Sequence, residues 1–399
     1  MRFCLVYVTP YQLRTLTDSS KRRSTRMTSQ AFHGLGFYWA RQCELLVTRP
    51  FLELPSLSSP ADIKRQQWEA WAAQETRHRA VLGHYILDGL ISQTSGLPTS
   101  DRHMTNTMVL PSSTKAYEAS SADAWIQAME EEPQTSMTFC QIYLQLFNTT
   151  AELDYQLSPF AVRVVLEGLQ SLISDHRQAQ GLFVGAKDLA SISNAMWQVF
   201  HKQIESPRNP DDQRVDLSLR WHAICIELCV NTNLLIRHLC EVRAVEQDLY
   251  NSKSRADFDL SCWLSTREAR RAILHASAIA GLVMDYPLRR LHSIHVPFAV
   301  MTSCTVFLAA MLSGKLSAAV PGTIDWRIAC SSNTNTLQNS ISVENFLDTS
   351  QNVWNTANNG RNLLYKLNAL QTALGSLSTT WGIALDMQAL VTRLASSVV

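Results

Sequence analysis

Three groups of side chains in this 399-residue chain have the types and spacing that chemistry requires. The first is Asp211-Asp212-Gln-Arg-Val-Asp216. Carboxylates at helical spacing can hold Mg²⁺, but they also follow Pro210, and acidic residues suit the positive end of a helix. The second is His222, Cys225 and Cys229, with His238 and Cys240 further on. Nitrogen and sulfur ligands so placed could hold zinc. The spacing is not that of a structural zinc module, and cysteines on helices usually serve the core. The third is His292-x-x-His295 before Pro297, where packing or capping is the expected role.

Other catalytic patterns are missing from the sequence. Asp175-His176 has no nucleophile at a recognisable spacing, and no G-x-S-x-G, H-E-x-x-H or P-loop occurs. Gly34-Leu-Gly36 lacks the third glycine of a dinucleotide fingerprint. Neither a Cys₂His₂ finger nor a six-cysteine binuclear cluster is present. No catalytic, cofactor-binding or metal residue is nominated from these patterns.

The elements that must position these residues read as helices. The chain is 46% hydrophobic and 17% charged, with ten tryptophans to anchor a core. A net charge of +1 argues against a polyanion binder, although residues 1–59 hold eight Lys/Arg against three Asp/Glu. Nine cysteines, an odd count without C-x-x-C, read as reduced intracellular thiols. Phe3 to Val8 is too short and badly flanked for a signal peptide. Val296 to Leu312 is the most apolar stretch, and it is shorter and more polar than a spanning helix, so a core helix is expected and no membrane role.

Residues 1–30 form a basic lead-in read as strand-like or disordered. Lys21, Arg22, Arg23 and Arg26 in it fit a nuclear-import cluster or a solvated turn. Ala31 to Val47 is expected to be helical, with Leu35, Trp39, Cys43 and Leu46 on its stripe. Ser59-Pro60-Ala61-Asp62 is a helix start with serine as its cap, and Ser265-Thr-Arg-Glu268 reads as a capping box. Apolar periodicity marks helices over residues 158–173, 187–204, 214–250 and 265–284. The Ser/Thr/Asn-rich residues 314–340 read as a surface linker, and two helices in 341–399 close the chain against the main domain, 31–313. The expected fold class is all-α, a large domain of packed antiparallel helices with few or no strands.

Trp68 to Asp88 organises this reading. Trp68, Trp71, Glu75, Arg77, Arg79, Leu82, Tyr85 and Asp88 recur mostly three or four apart, on a helix that mixes aromatic rings with charges. A buried glutamate needs a partner, and Glu75 is expected to meet an arginine, either Arg79 at i+4 or one from a later helix. Further on come Leu110-Pro111, Tyr117-Glu118-Ala119 and Trp125, then His275-Ala276, Arg289-Arg290 and Ser293-Ile294-His295-Val296-Pro297.

These landmarks, in this order and separation, resemble the regulatory middle-homology domain of fungal-specific transcription factors. Tyr117 stands where that family usually has tryptophan, and Ser112 where a cysteine often follows the Leu-Pro pair. The resemblance implies an all-helical regulator in the nucleus, controlling transcription of catabolic or secondary-metabolite genes and having no catalysis. It implies protein partners, either the transcription machinery or a DNA-binding partner, with a homodimer as one arrangement. In the family, DNA is read by Cys₂His₂ or Zn₂Cys₆ zinc modules N-terminal to this domain. Either such a module, with its zinc, precedes this sequence, or the chain acts without its own DNA contact; direct DNA binding by these residues is not expected.

Two other classes compete. A terpene-synthase-like enzyme would use Asp211, Asp212 and Asp216 with Mg²⁺. That family needs a second set of Asn, Ser/Thr and Glu at fourth-residue spacing, where this chain offers Asn231, Leu235 and Leu239. A helical protein-interaction scaffold without a transcriptional role is the third reading. Convergence of the three aspartates on a deep apolar cavity would separate the enzyme from the other two.

Overall fold

The computed structural model describes residues 19–47, 53–102, 105–132, 137–148, 156–178, 188–207, 209–250, 257–330, 341–354 and 361–396. Among them the all-α expectation is met. The order is α1 (Ser19–Gln42), α2 (Ala61–Ser95), α3 (Thr114–Tyr117), α4 (Ala122–Glu131), α5 (Phe139–Leu146), α6 (Pro159–Gln178) and α7 (Leu189–Val199). A π-helical turn, Phe200–Ile204, continues α7. Then come α8 (Asp211–Cys229), α9 (Thr232–Val242), α10 (Leu260–Leu264), α11 (Arg267–Asp285), α12 (Val296–Leu312), β1 (Ser317–Ala318), α13 (Trp326–Cys330), α14 (Ile341–Leu347), β2 (Arg361–Asn362), α15 (Leu363–Leu377) and α16 (Gly382–Ala395). β1 and β2 pair antiparallel over two residues each.

Short polar side chains open many of these helices. Ser121 accepts from the Ala124 amide, Asp188 from Ser191 and Asn231 from Leu234. Thr138 and Gln141 close a reciprocal capping box at α5. Each cap satisfies an amide that the helix itself leaves without an acceptor.

α8 is buried on almost all sides from Asp216 to Glu227 and divides two cores, its charged side chains paired inside. Its Leu219, Ala223 and Ile226 pack with α9, α11, α12, α15 and α16. Its Leu217, Trp221, Ile224 and Cys225 pack with α1, α2, α5, α6 and α7. A small third cluster joins Trp71 on α2 to Trp125 and Ile126 on α4. α12 is a core helix, with nearly every residue from Val296 to Met311 buried. No single helix among the described residues is long and apolar enough to cross a membrane. α15 and α16 join the core of α11 and α12, so the C-terminal helices pack on the main domain.

Several sequence expectations change. The first helix spans Ser19–Gln42, so Lys21, Arg22, Arg23 and Arg26 sit in a helix and not in a turn. Its buried face is His33, Phe37 and Ala40, while Leu35 and Trp39 are exposed. The physical reason is that His33 and Phe37 stack on His84 and Tyr85 of α2, which rotates the expected stripe outward. α2 starts after Pro60 without a serine cap and runs past Gly89 to Ser95. The helix expected over 214–250 breaks after Cys229, where Val230 is extended and Asn231 recaps, bending the path by 69°. At α11 the cap is Thr266, accepting from Ala269, so Ser265 and Glu268 do not form the expected box. The helix expected over 187–204 gives way to the π turn at Phe200. The linker carries β1 and α13, with Ala318, Ile328, Ala329 and Cys330 buried. Residues 1–18 of the lead-in and 331–340 of the linker lie outside the described residues.

Candidate functional site

Glu75 lies one turn along α2 from the buried Trp71 and about two turns from the half-buried Trp68. Its carboxylate accepts from Arg79 Nε at 2.8 Å and from the Ser112 amide at 3.0 Å. Arg79 Nη2 donates onward to the Ser112 carbonyl at 2.6 Å, and its guanidinium lies 4.1 Å over the Tyr117 ring. Trp71 meets Trp125 with ring centroids 5.4 Å apart. The i, i+4 pair expected from the sequence thus forms, and it ties α2 to the loop after Leu110 and Pro111, which are both buried. Burial pushes the Glu75 carboxyl up, but Arg79, with the His78 ring 3.8 Å away, outweighs it and holds the group below its ordinary value. Arg77 and Glu118 stay exposed; Arg77 only folds back on the Ala73 carbonyl.

Asp88, at the other end of the stretch, accepts from the Ser100 amide at 2.7 Å and faces His33 of α1 at 3.2 Å. The carboxylate therefore fixes both the loop after α2 and the preceding helix.

A second polar group threads the interior and has no signature in the sequence. Arg220 of α8 grips Glu167 of α6 through bonds of 2.7 and 2.6 Å and donates to Gln93 of α2 at 2.9 Å. Gln93 donates in turn to Glu227, which also takes Arg177 at 2.9 Å. Burial pushes Glu167 up, and Arg220 pulls it back only in part. Gly89 is required beside this pair, because an added Cβ would collide with the Glu167 carboxylate. The linking residues lie far apart in sequence, and no local spacing reveals them.

The three aspartates do not form a site. Asp211 is largely exposed and pairs with Arg214 at 2.5 Å, and Asp212 caps the Gln213 amide. Asp216 points inward to Arg163 and to His295, 3.5 Å away. A helix start splits the set between solvent and core, which removes the geometry a Mg²⁺–diphosphate site needs. His295 also meets the Asp216 carbonyl at 3.0 Å, and burial lowers its pKa to about 4 against the pull of Asp216. Pro297 is buried at the start of α12.

The helix-borne nitrogen and sulfur side chains of the second sequence group also find different neighbours. Cys225 finds Cys330 of α13 and His275 of α11 instead of Cys229, and the three are buried with ligand atoms within 4.8 Å of one another. His222 Nδ1 and His275 Nδ1 lie 2.9 Å apart, so one ring donates to the other. Burial takes His222 to about 3, and burial with its neighbours' charge takes His275 well below its ordinary value, so both rings are neutral at pH 7. Trp326 stacks on His275 at 4.8 Å, and Trp221 and Phe200 close the other side. His275 is legible in the sequence as a landmark, but Cys330, in a stretch that reads as linker, is not.

No family model matches the chain, and neither a curated protein nor a solved structure matches it.

Proposed function

We propose that this chain is the regulatory domain of a fungal-type transcription regulator, acting in the nucleus through protein partners and without a catalytic task. The observation that carries the reading is the interlock at Glu75. Landmarks that are scattered in sequence meet there: Glu75 pairs with Arg79, Arg79 lies over Tyr117, the Ser112 amide after Leu110-Pro111 bonds Glu75, and Trp71, one turn away, meets Trp125. A shared signature of this kind is what a common architecture would preserve, because each member fixes another's position. The resemblance gains support from that mutual dependence.

The partner-binding part rests on α1. Phe32, Leu35, Tyr38 and Trp39 are exposed on it, and grouped exposed apolar side chains mark interaction surfaces. The partner is a protein of the transcription machinery or a DNA-binding protein, and the genes controlled are catabolic or secondary-metabolite genes. Genome-wide transcript levels in a strain lacking the gene test the proposal. Altered levels of a coherent gene set are expected; unchanged transcripts across growth conditions would sink it.

A further inference from the structure

The regulatory reading gives no task to the contact between Cys225, His275 and Cys330. These residues come from three helices, α8, α11 and α13, and meet where the two cores adjoin. Several devices hold them there. Ser193 of α7 donates to the Cys330 carbonyl at 2.6 Å and pins the end of α13. Trp326, one turn before Cys330, lies flat on the His275 ring. His222, one turn before Cys225, bonds the same ring through Nδ1.

We infer that this junction is a zinc site, with Cys225 Sγ, Cys330 Sγ and the His275 ring nitrogen that is not bonded to His222 as ligands, and His222 as the outer partner of that ring. This goes beyond the regulatory reading and does not depend on it. It also departs from the expectation that the chain needs no metal of its own.

The donor set suits zinc. Tetrahedral Zn²⁺ bonds thiolate sulfur at about 2.3 Å and imidazole nitrogen at about 2.0–2.1 Å, which spaces its ligand atoms about 3.5–3.8 Å apart. The atoms here lie within 4.8 Å of one another, so closure by up to about 1.3 Å brings the three to zinc-ligand spacing.

Charge selects the ion. Metal binding replaces one proton on each thiol, and both protons leave to solvent. Two thiolates then cancel Zn²⁺, so the buried site carries no net charge and avoids the penalty of an unpaired ion. A monovalent soft cation would leave one negative charge in the same apolar surroundings. The His222–His275 bond orients the ligand ring, as outer partners of metal-bound histidines do.

Zinc content of the full-length chain, purified with zinc and dialysed, tests the inference. About one zinc per chain is expected, kept by Cys229→Ser and lost by at least tenfold in Cys225→Ser and Cys330→Ser. Zinc-edge X-ray absorption on the wild-type chain gives a reading that needs no variant. Two sulfur neighbours at about 2.3 Å are expected. A wild-type chain without retained zinc, a zinc shell of oxygen and nitrogen only, or full zinc retention in folded Cys225→Ser would each overturn the site.

Discussion

Arg220 holds Glu167 through two parallel hydrogen bonds of 2.7 and 2.6 Å, with both side chains removed from water. Removing one partner of such a pair strands the other charge, which costs about 3–5 kcal/mol. Glu167→Gln is expected to lose that much in denaturant unfolding. The double variant Glu167→Leu/Arg220→Met is expected to recover most of it, since apolar replacement of a whole buried pair is often neutral. Losses that simply add would show that the pair is not a unit.

The same logic applies to Glu75. Glu75→Ala leaves Arg79 and the Ser112 amide without their acceptor, and a loss of about 3–5 kcal/mol is expected. Arg77→Ala, on the exposed side of the same helix, is expected to cost under about 0.5 kcal/mol. Equal effects at the two positions would mean that the interlock does not hold α2 in place.

Two glycines of α2 separate steric need from helix propensity. Gly89→Ala drives a methyl group into the Glu167 carboxylate and is expected to destabilise by about 1–3 kcal/mol. Gly83 has open space where a Cβ would go, so Gly83→Ala is expected to gain about 0.5–1 kcal/mol of helix stability. Thermal unfolding of the two variants checks this. A gain at both positions would contradict the close packing of Gly89 on Glu167.

Acid should loosen the fold through its buried histidines. Burial and the His33 ring bring His84 to about 4, and burial brings His295 to about 4. Each is depressed in the folded chain, so its neutral form contributes stability above about 6.5, and that stability falls away as pH drops from there towards about 4. Each unmatched proton contributes a slope of about 1.4 kcal/mol per pH unit. Glu167, raised by burial, works with the opposite sign as a single group. Urea titrations at pH 7, 6 and 5 should show His84→Asn losing less stability than wild type on acidification. Parallel pH profiles would contradict the assignment.

Local rules make part of this molecule legible. The i, i+4 pairing of Glu75 with Arg79 follows from near neighbours, and the structure contains it. α12 is readable as a core helix because its apolar run is dense but short. What escapes depends on distant partners. The orientation of α1 is set by His84 and Tyr85, more than forty residues on, so the apolar Leu35 and Trp39 point to the wrong face. Arg220 and Glu167 are 53 residues apart. Cys330 sits in a polar-rich stretch whose five-residue helix is held by Ser193 and the surrounding core, not by its own periodicity.

The proposed role of this helical body is to regulate transcription. It is tested most directly by tethering the full chain to a foreign DNA-binding domain upstream of a reporter gene. The account predicts a change of several-fold in reporter transcript over the DNA-binding domain alone, reduced when Glu75→Ala weakens the interlock. A folded, nuclear fusion that leaves the reporter at the level of the DNA-binding domain alone would contradict it.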